Sequence, residues 1–162
     1  MRGPLADIAR AEADAAKLPH EMVLAIVQVE SGWDSFRVRY EPGWRYGTYF
    51  AREHADRNGI TSDTEDILQR FSWGLMQIMG AVAREIGYNG HLTALCDPIL
   101  GTRYGCKKLR QCYEKYADET AAIAAYNAGS AQKTQGGMYV NQRYVDRVYA
   151  AMLPLRSMRF QS

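Results

Sequence analysis

Apolar positions recur at helical spacing along most of the chain, and alternation at period two is nowhere sustained. In residues 5–17, Leu5, Ile8, Ala9, Ala13 and Ala16 form an amphipathic stripe interrupted by Glu12, with Pro19 just beyond. Residues 20–31 are apolar from Met22 to Val29 except for Gln28, which predicts a helix buried on most of its circumference and stopped by Gly32. A weaker helical pattern over 46–57 follows a turn at Pro42-Gly43. Ser62 and Glu65 have capping-box spacing ahead of Ile67, Leu68 and Phe71. Ile78 to Ile86 reads as a short helix ended by Gly87. Asp97-Pro98 then pairs an N-cap residue with a first-position proline, opening a helix to about Tyr116. Asp118 or Thr120 starts an Ala-rich helix ending at Gly129. A last helix over about 139–153 carries Val140, Tyr144, Val148 and Met152 at four-residue spacing, and Pro154 is expected to close it. The pattern predicts an all-α domain spanning residues 1–162, with no internal repeat and no linker.

The stretch 32–61 departs from this regularity. It concentrates Trp33, Phe36, Tyr40, Trp44, Tyr46, Tyr49 and Phe50 outside any helical stripe. Such aromatics make either a small core under a long loop or a wall facing a ligand.

Composition narrows the function classes. With 162 residues, 47% of them hydrophobic, and only 14 Gly and 5 Pro, the chain can bury a core without staples and is not low-complexity. No apolar run approaches the roughly 18 residues of a membrane span. A net charge of +2 gives no argument for nucleic acid. The charge is uneven, however. Residues 1–100 hold 10 Lys/Arg against 14 Asp/Glu, whereas 101–162 hold 10 against 4. That basic C-terminal portion suits an acidic polymer or a solvated helix face. Cys96, Cys106 and Cys112 are an odd set, so no complete disulfide framework exists. His20-Glu21 begins like a zinc-protease motif, but Leu24 stands where the second ligand belongs. Neither a metal nor a cofactor is expected.

Glu30 is the most informative residue. It follows the apolar stretch and falls in the last turn of its helix. Apolar surroundings and the negative helix end both disfavour the ionised carboxyl, and a carboxyl kept protonated is what a general acid requires. Position alone serves equally a helix-end glutamate that points to water.

The motifs around it add to this. Glu30-Ser31-Gly32, then Gly74-Leu75-Met76-Gln77-Ile78-Met79, then Ala125-Tyr126-Asn127-Ala128-Gly129 and finally Tyr144 follow in order on a helical chain. This series resembles the soluble lytic transglycosylase family with its lysozyme-like fold, over roughly residues 5–153. The resemblance implies a single lysozyme-like helical domain with a glycan-binding groove, acting as a monomer on peptidoglycan strands. It implies cleavage of the β-1,4 bond between N-acetylmuramic acid and N-acetylglucosamine, with Glu30 as the acid. The N-acetyl carbonyl of the muramic acid would serve as internal nucleophile. Ionised Glu30 would then take the proton of the 6-hydroxyl, closing a 1,6-anhydro ring without the second carboxylate of most glycosidases. By the same resemblance Ser31, Gln77, Met79, Tyr126, Asn127 and Tyr144 line the substrate. Met76 is expected in the core, and Ser31 to make helix-end hydrogen bonds rather than act as a nucleophile.

Three departures stand out. The 42 residues between Ser31 and Gly74 exceed the usual connection, which often carries a serine contacting the N-acetyl group; Ser72 is the candidate here. The family's usual proline after the GLMQIM segment is Gly80. The long segment with its RYEPGW element is similar to stand-alone phage and prophage enzymes. The opening segment has charges every few residues and no signal-peptide block. Synthesis in the host cytoplasm with later action on the wall, or carriage in a virion, is therefore expected. A hydrolase on the same fold would need an acid such as Asp34, Glu41 or Asp97 to position a water; a non-catalytic glycan-binding module is the other alternative.

Overall fold

The structure is a computed structural model that describes residues 3–43 and 48–159. Trp44 and Tyr46 of the aromatic stretch lie outside the described residues. The chain divides into two compact units, Met1–Val29 with Cys106–Ser162, and Glu30–Gly105.

The first unit is helical. Helix α1 (Gly3–Ala15) ends with Lys17 in the left-handed region and the Leu18 amide donating back to the Ala13 carbonyl at 2.9 Å. Helix α2 (His20–Glu30) buries Met22 through Val27 without a break, as its unbroken apolar run requires, and leaves Gln28 exposed. Helix α6 (Pro98–Tyr116) begins in the second unit, where the Asp97 carboxylate accepts the Leu100 amide at 2.9 Å, and brings Cys106, Leu109 and Cys112 into the first unit's core. Helix α7 (Glu119–Ala128) is capped by Asp118, which accepts the Ala121 amide at 2.6 Å, and is closed by left-handed Gly129. Helix α8 (Gln142–Arg159) buries Tyr144, Val145, Val148 and Met152. It departs from expectation at both ends. Val140 precedes it and is half exposed. Pro154 lies inside it: proline has a helical φ, and the helix continues past the one missing N–H donor, which would have bonded to the Ala150 carbonyl.

The second unit holds α3 (Ala51–Asn58), α4 (Ser62–Gln69), a three-stranded antiparallel sheet, α5 (Gly80–Glu85) and a 3-10 turn at Leu92–Cys96. The strands are β1 (Val38–Tyr40), β2 (Phe71–Trp73) and β3 (Ile78–Met79), with β2 central. Val38 pairs with Trp73, Arg39 with Ser72, Tyr40 with Phe71, Ser72 with Met79, and Trp73 with Ile78. One face therefore carries Val38, Tyr40, Phe71, Trp73 and Ile78, and the other Arg39, Ser72 and Met79. Trp73 and Ile78 enter a core with Ala83, Tyr88, Leu92 and Leu95. Ile78, expected to open a helix, is thus a strand residue, and α5 starts two positions later.

The capping box also falls differently. Thr61 is the cap of α4, accepting the Thr64 amide at 3.2 Å, and Ser62 is the first helical residue. Glu65 turns inward instead. It is fully buried and meets the buried Arg84 in a two-pronged pair, Nε to Oε1 at 2.7 Å and Nη2 to Oε2 at 3.0 Å. Arg84 Nη1 donates to the Tyr88 and Gly90 carbonyls at 2.9 and 2.7 Å. Gln69 donates to Glu65 Oε1 and to the Tyr49 carbonyl, and accepts the Tyr49 amide. Glu65→Ala strands the guanidinium in the interior, so chemical denaturation should show a loss of about 3–5 kcal/mol.

His54, also buried, sits beside this network. Burial first, then the charges of Arg84 and Arg57, hold its imidazole below the ordinary 6.5, against the opposing pull of Glu65 and Glu53. The unfolded chain then binds more protons than the folded one. Stability should hold above pH 6.5 and fall as the pH drops below it, and denaturation of His54→Gln across that range should show a shallower decline.

Candidate active site

Glu30 ends α2 and is half buried. The chain reverses at once behind it, because Gly32 and Trp33 both take left-handed backbone, φ 64° and 75°. Ser31 is buried under this turn, its Oγ accepting the Trp33 amide at 3.1 Å and its carbonyl accepting the Asp34 amide at 3.3 Å. The hydroxyl serves the helix end, as its sequence position suggests.

The GLMQIM segment forms the hairpin between β2 and β3. Gly74 has φ 68°, and a Cβ there would lie 2.3 Å from the Leu95 carbonyl oxygen, so no side chain fits. Met76 is fully buried, in accord with a core role. Gln77 is strained at φ 49° and buried. Its Nε2 donates to the Arg37 carbonyl at 2.9 Å and the Gly74 carbonyl at 3.0 Å, while the Gly74 amide donates to that same Arg37 carbonyl at 2.9 Å. Both amide hydrogens of Gln77 are thus spent on backbone, tying the hairpin to the loop that leaves Glu30-Ser31. Only Oε1 remains without a hydrogen bond among the described residues. Sugar donation by this side chain, a role open from sequence, is taken up by the fold. Met79 is half buried on the sheet face it shares with Arg39 and Ser72.

That face holds a polar cluster. Glu41 Oε1 accepts from Arg39 Nε at 2.6 Å and from Ser72 Oγ at 2.9 Å. Ser72 is buried and its only proton is committed to Glu41, so it has no donor left for an N-acetyl group. Asp34 Oδ1 accepts the Phe36 amide at 3.0 Å. Of the aromatics in 32–61, Phe36, Tyr40, Tyr49 and Phe50 are exposed and Trp33 is half buried. Among the described residues they therefore form surface rather than a small core. Tyr40 and Phe71, with rings 5.2 Å apart, line an open pocket of about 370 Å³ with Asp66, Ile67 and Arg70.

The remaining predicted residues belong to the first unit. Tyr126 is half buried and Asn127 exposed at the end of α7; Tyr144 is buried in the first turn of α8. Asn141, which carried no sequence signal, joins these segments. Its carbonyl accepts the Tyr144 amide at 2.8 Å, and its side chain donates to Asn127 Oδ1 at 3.0 Å.

Thiol chemistry is disfavoured. Burial pushes the Cys106 thiol up to about 12 and also raises Cys112 and Cys96, leaving little thiolate at neutral pH. Among the described residues no cluster of three or more His, Cys, Asp or Glu could hold a metal, and no helix is long and apolar enough to cross a membrane.

The double use of Gln77 generates a test. Gln77→Glu keeps the shape but sets an oxygen against two carbonyls, so it should cost about 1–3 kcal/mol in thermal or chemical denaturation. Unchanged stability with lost activity would mean the side chain works only on the sugar.

No curated protein and no solved structure matches the chain. Residues 7–144, a span that contains every predicted site residue from Glu30 to Tyr144, match the family model described as the transglycosylase SLT domain. With its lysozyme-like helical architecture, the chain belongs to this family of peptidoglycan-cleaving enzymes.

Proposed function

We propose that the chain is a lytic transglycosylase that cleaves the β-1,4 bond from N-acetylmuramic acid to N-acetylglucosamine and leaves 1,6-anhydromuramic ends. Glu30 donates its proton to the glycosidic oxygen as the bond breaks. The muramic N-acetyl oxygen attacks the anomeric carbon, forming a cyclic oxazolinium intermediate. Glu30, now a carboxylate, removes the 6-hydroxyl proton as O6 attacks the anomeric carbon and the N-acetyl oxygen leaves. The enzyme is thereby restored with its proton.

One observation supports this choice over hydrolysis: Asp34, Glu41 and Asp97, the acids singled out as water activators, each have a carboxylate oxygen engaged within the fold. Glu41 is held by Arg39 and Ser72, Asp97 caps α6, and Asp34 braces its own turn. Hydrolysis would have to recruit the second oxygen of a carboxylate already tied to a turn, a sheet or a helix cap, whereas the internal route needs only Glu30. The half-buried place of Glu30 at the end of a helix that buries Met22 through Val27 supports its role as the acid. In this reading the enzyme acts at the cell wall of a bacterial host and belongs to a phage or prophage.

Digests of purified peptidoglycan should yield fragments one water lighter than hydrolytic products, resistant to borohydride reduction. Glu30→Gln should lower their release by at least about a hundredfold while the protein remains folded. Reducing muramic ends would replace the lyase by a hydrolase, and near-normal cleavage by Glu30→Gln would remove Glu30 from the chemistry.

A further inference from the structure

Asn141 stands just before α8, and its side chain spans two acceptors. Nδ2 donates to the Ala124 carbonyl at 3.0 Å and to Asn127 Oδ1 at 3.0 Å. A backbone carbonyl can only accept, so the Asn141 amide is locked with its nitrogen toward Ala124. The second hydrogen of that nitrogen then requires an oxygen from Asn127. The orientation of the exposed Asn127 amide is therefore determined too. Oδ1 is turned inward, and the outward group is the NH2, which has no acceptor among the described residues. The chain of constraint starts at a main-chain carbonyl, Ala124, in a buried stretch of α7.

We propose that Asn141 is a positioning residue that fixes Asn127 as a hydrogen-bond donor to the N-acetyl carbonyl of a glycan residue. This rests on the reading of the chain as a peptidoglycan enzyme and deepens it into substrate selection. The ligand class follows from the polarity. A hydroxyl both donates and accepts, so it would bond to either end of an amide and would not need one end held outward. An acceptor-only group needs a donor, and a locked NH2 favours it while refusing an ammonium, which can only donate. The N-acetyl carbonyl of an aminosugar is such a group, and the free amine left by de-N-acetylation is the opposite. The pair would thus discriminate N-acetylated from de-N-acetylated walls through a residue, Asn141, that does not touch the sugar.

The test is binding of chitotetraose in its N-acetylated and de-N-acetylated forms to the Glu30→Gln protein, where turnover does not interfere. The preference for the acetylated form should fall about tenfold in Asn127→Ala, the weight of one good hydrogen bond, and equally in Asn141→Ala. The double variant should lose no more than either single one, since both act through one bond. Asn127→Asp, which keeps the inward oxygen and replaces the outward NH2 by an oxygen, should abolish the preference with little change in melting temperature. If Asn141→Ala does not fold, Asn141→Ser serves. A hydroxyl has a single proton and cannot hold both the Ala124 carbonyl and Asn127, so the same loss is expected. A parent protein that binds both forms equally overturns the proposal, as does an unchanged preference in the Asn141 variants or additive losses in the double variant. These readouts do not depend on the reaction type: reducing muramic ends in wall digests would replace the lyase by a hydrolase and leave the binding preference to be judged by itself.

Discussion

Burying a carboxylate and a guanidinium together is worthwhile only if every oxygen and most of the donors find partners, and the Glu65–Arg84 pair meets that condition. Each ion removed from water costs several kcal/mol, which a single contact would not recover. Here the two-pronged contact is completed by two carbonyls on Arg84 and by the Gln69 amide on Glu65. The consequence is positional. Glu65 belongs to the long segment between the first two motifs and Arg84 to the helix after the second, so the pair fastens the extra length to the framework. Gly80 records the same closeness. A Cβ there would lie 2.7 Å from the Leu68 carbonyl oxygen and 2.8 Å from the Gln69 Cα. The glycine that stands where relatives are expected to carry proline is therefore explained by the helix that the extra segment adds.

A second layer of constraint runs through the hairpin. Gln77 holds the Gly74 turn and the Arg37 loop with one nitrogen, and the loop in turn begins at the residue after Glu30. Glu30 is thus followed by a reversal whose far end is pinned to the motif that begins 44 positions after it. In the other unit Asn141 does similar work between the end of α7 and the start of α8. In both places a carboxamide is used because it donates two bonds from one nitrogen and so fixes two strands of chain at once.

The helices were legible because their signals are redundant. The α2 run, the Asp97-Pro98 start, and the Asp118 cap with Gly129 at the other end each repeat the same information at several positions. The sheet was not legible, because strands of two or three residues are too short to display a period. The inward turn of Glu65 escaped for a different reason. Ser-x-x-Glu is a local signal, and a distant arginine overrode it while Thr61 took the cap. Pro154 misled because proline's helix-ending tendency concerns the preceding turn, which here tolerates one missing donor. Glu30 and Tyr144, from the first and last site motifs, stand on helices and could be placed on them from sequence. Asn141 could not, since an asparagine in a loop carries no mark of what it will bridge.

The three thiols have a consequence outside catalysis. Cys106 and Cys112 share helix α6 and are six residues apart, a rise of about 9 Å, beyond the roughly 7 Å that a disulfide can bridge. Buried thiols with raised pKa values also exchange slowly, because only the thiolate reacts. The covalent framework formed by these two positions is therefore the same in a reducing and in an oxidising medium. Helix α6 thus holds the same set of bonds whichever of the two media surrounds the protein, and its packing does not depend on oxidation.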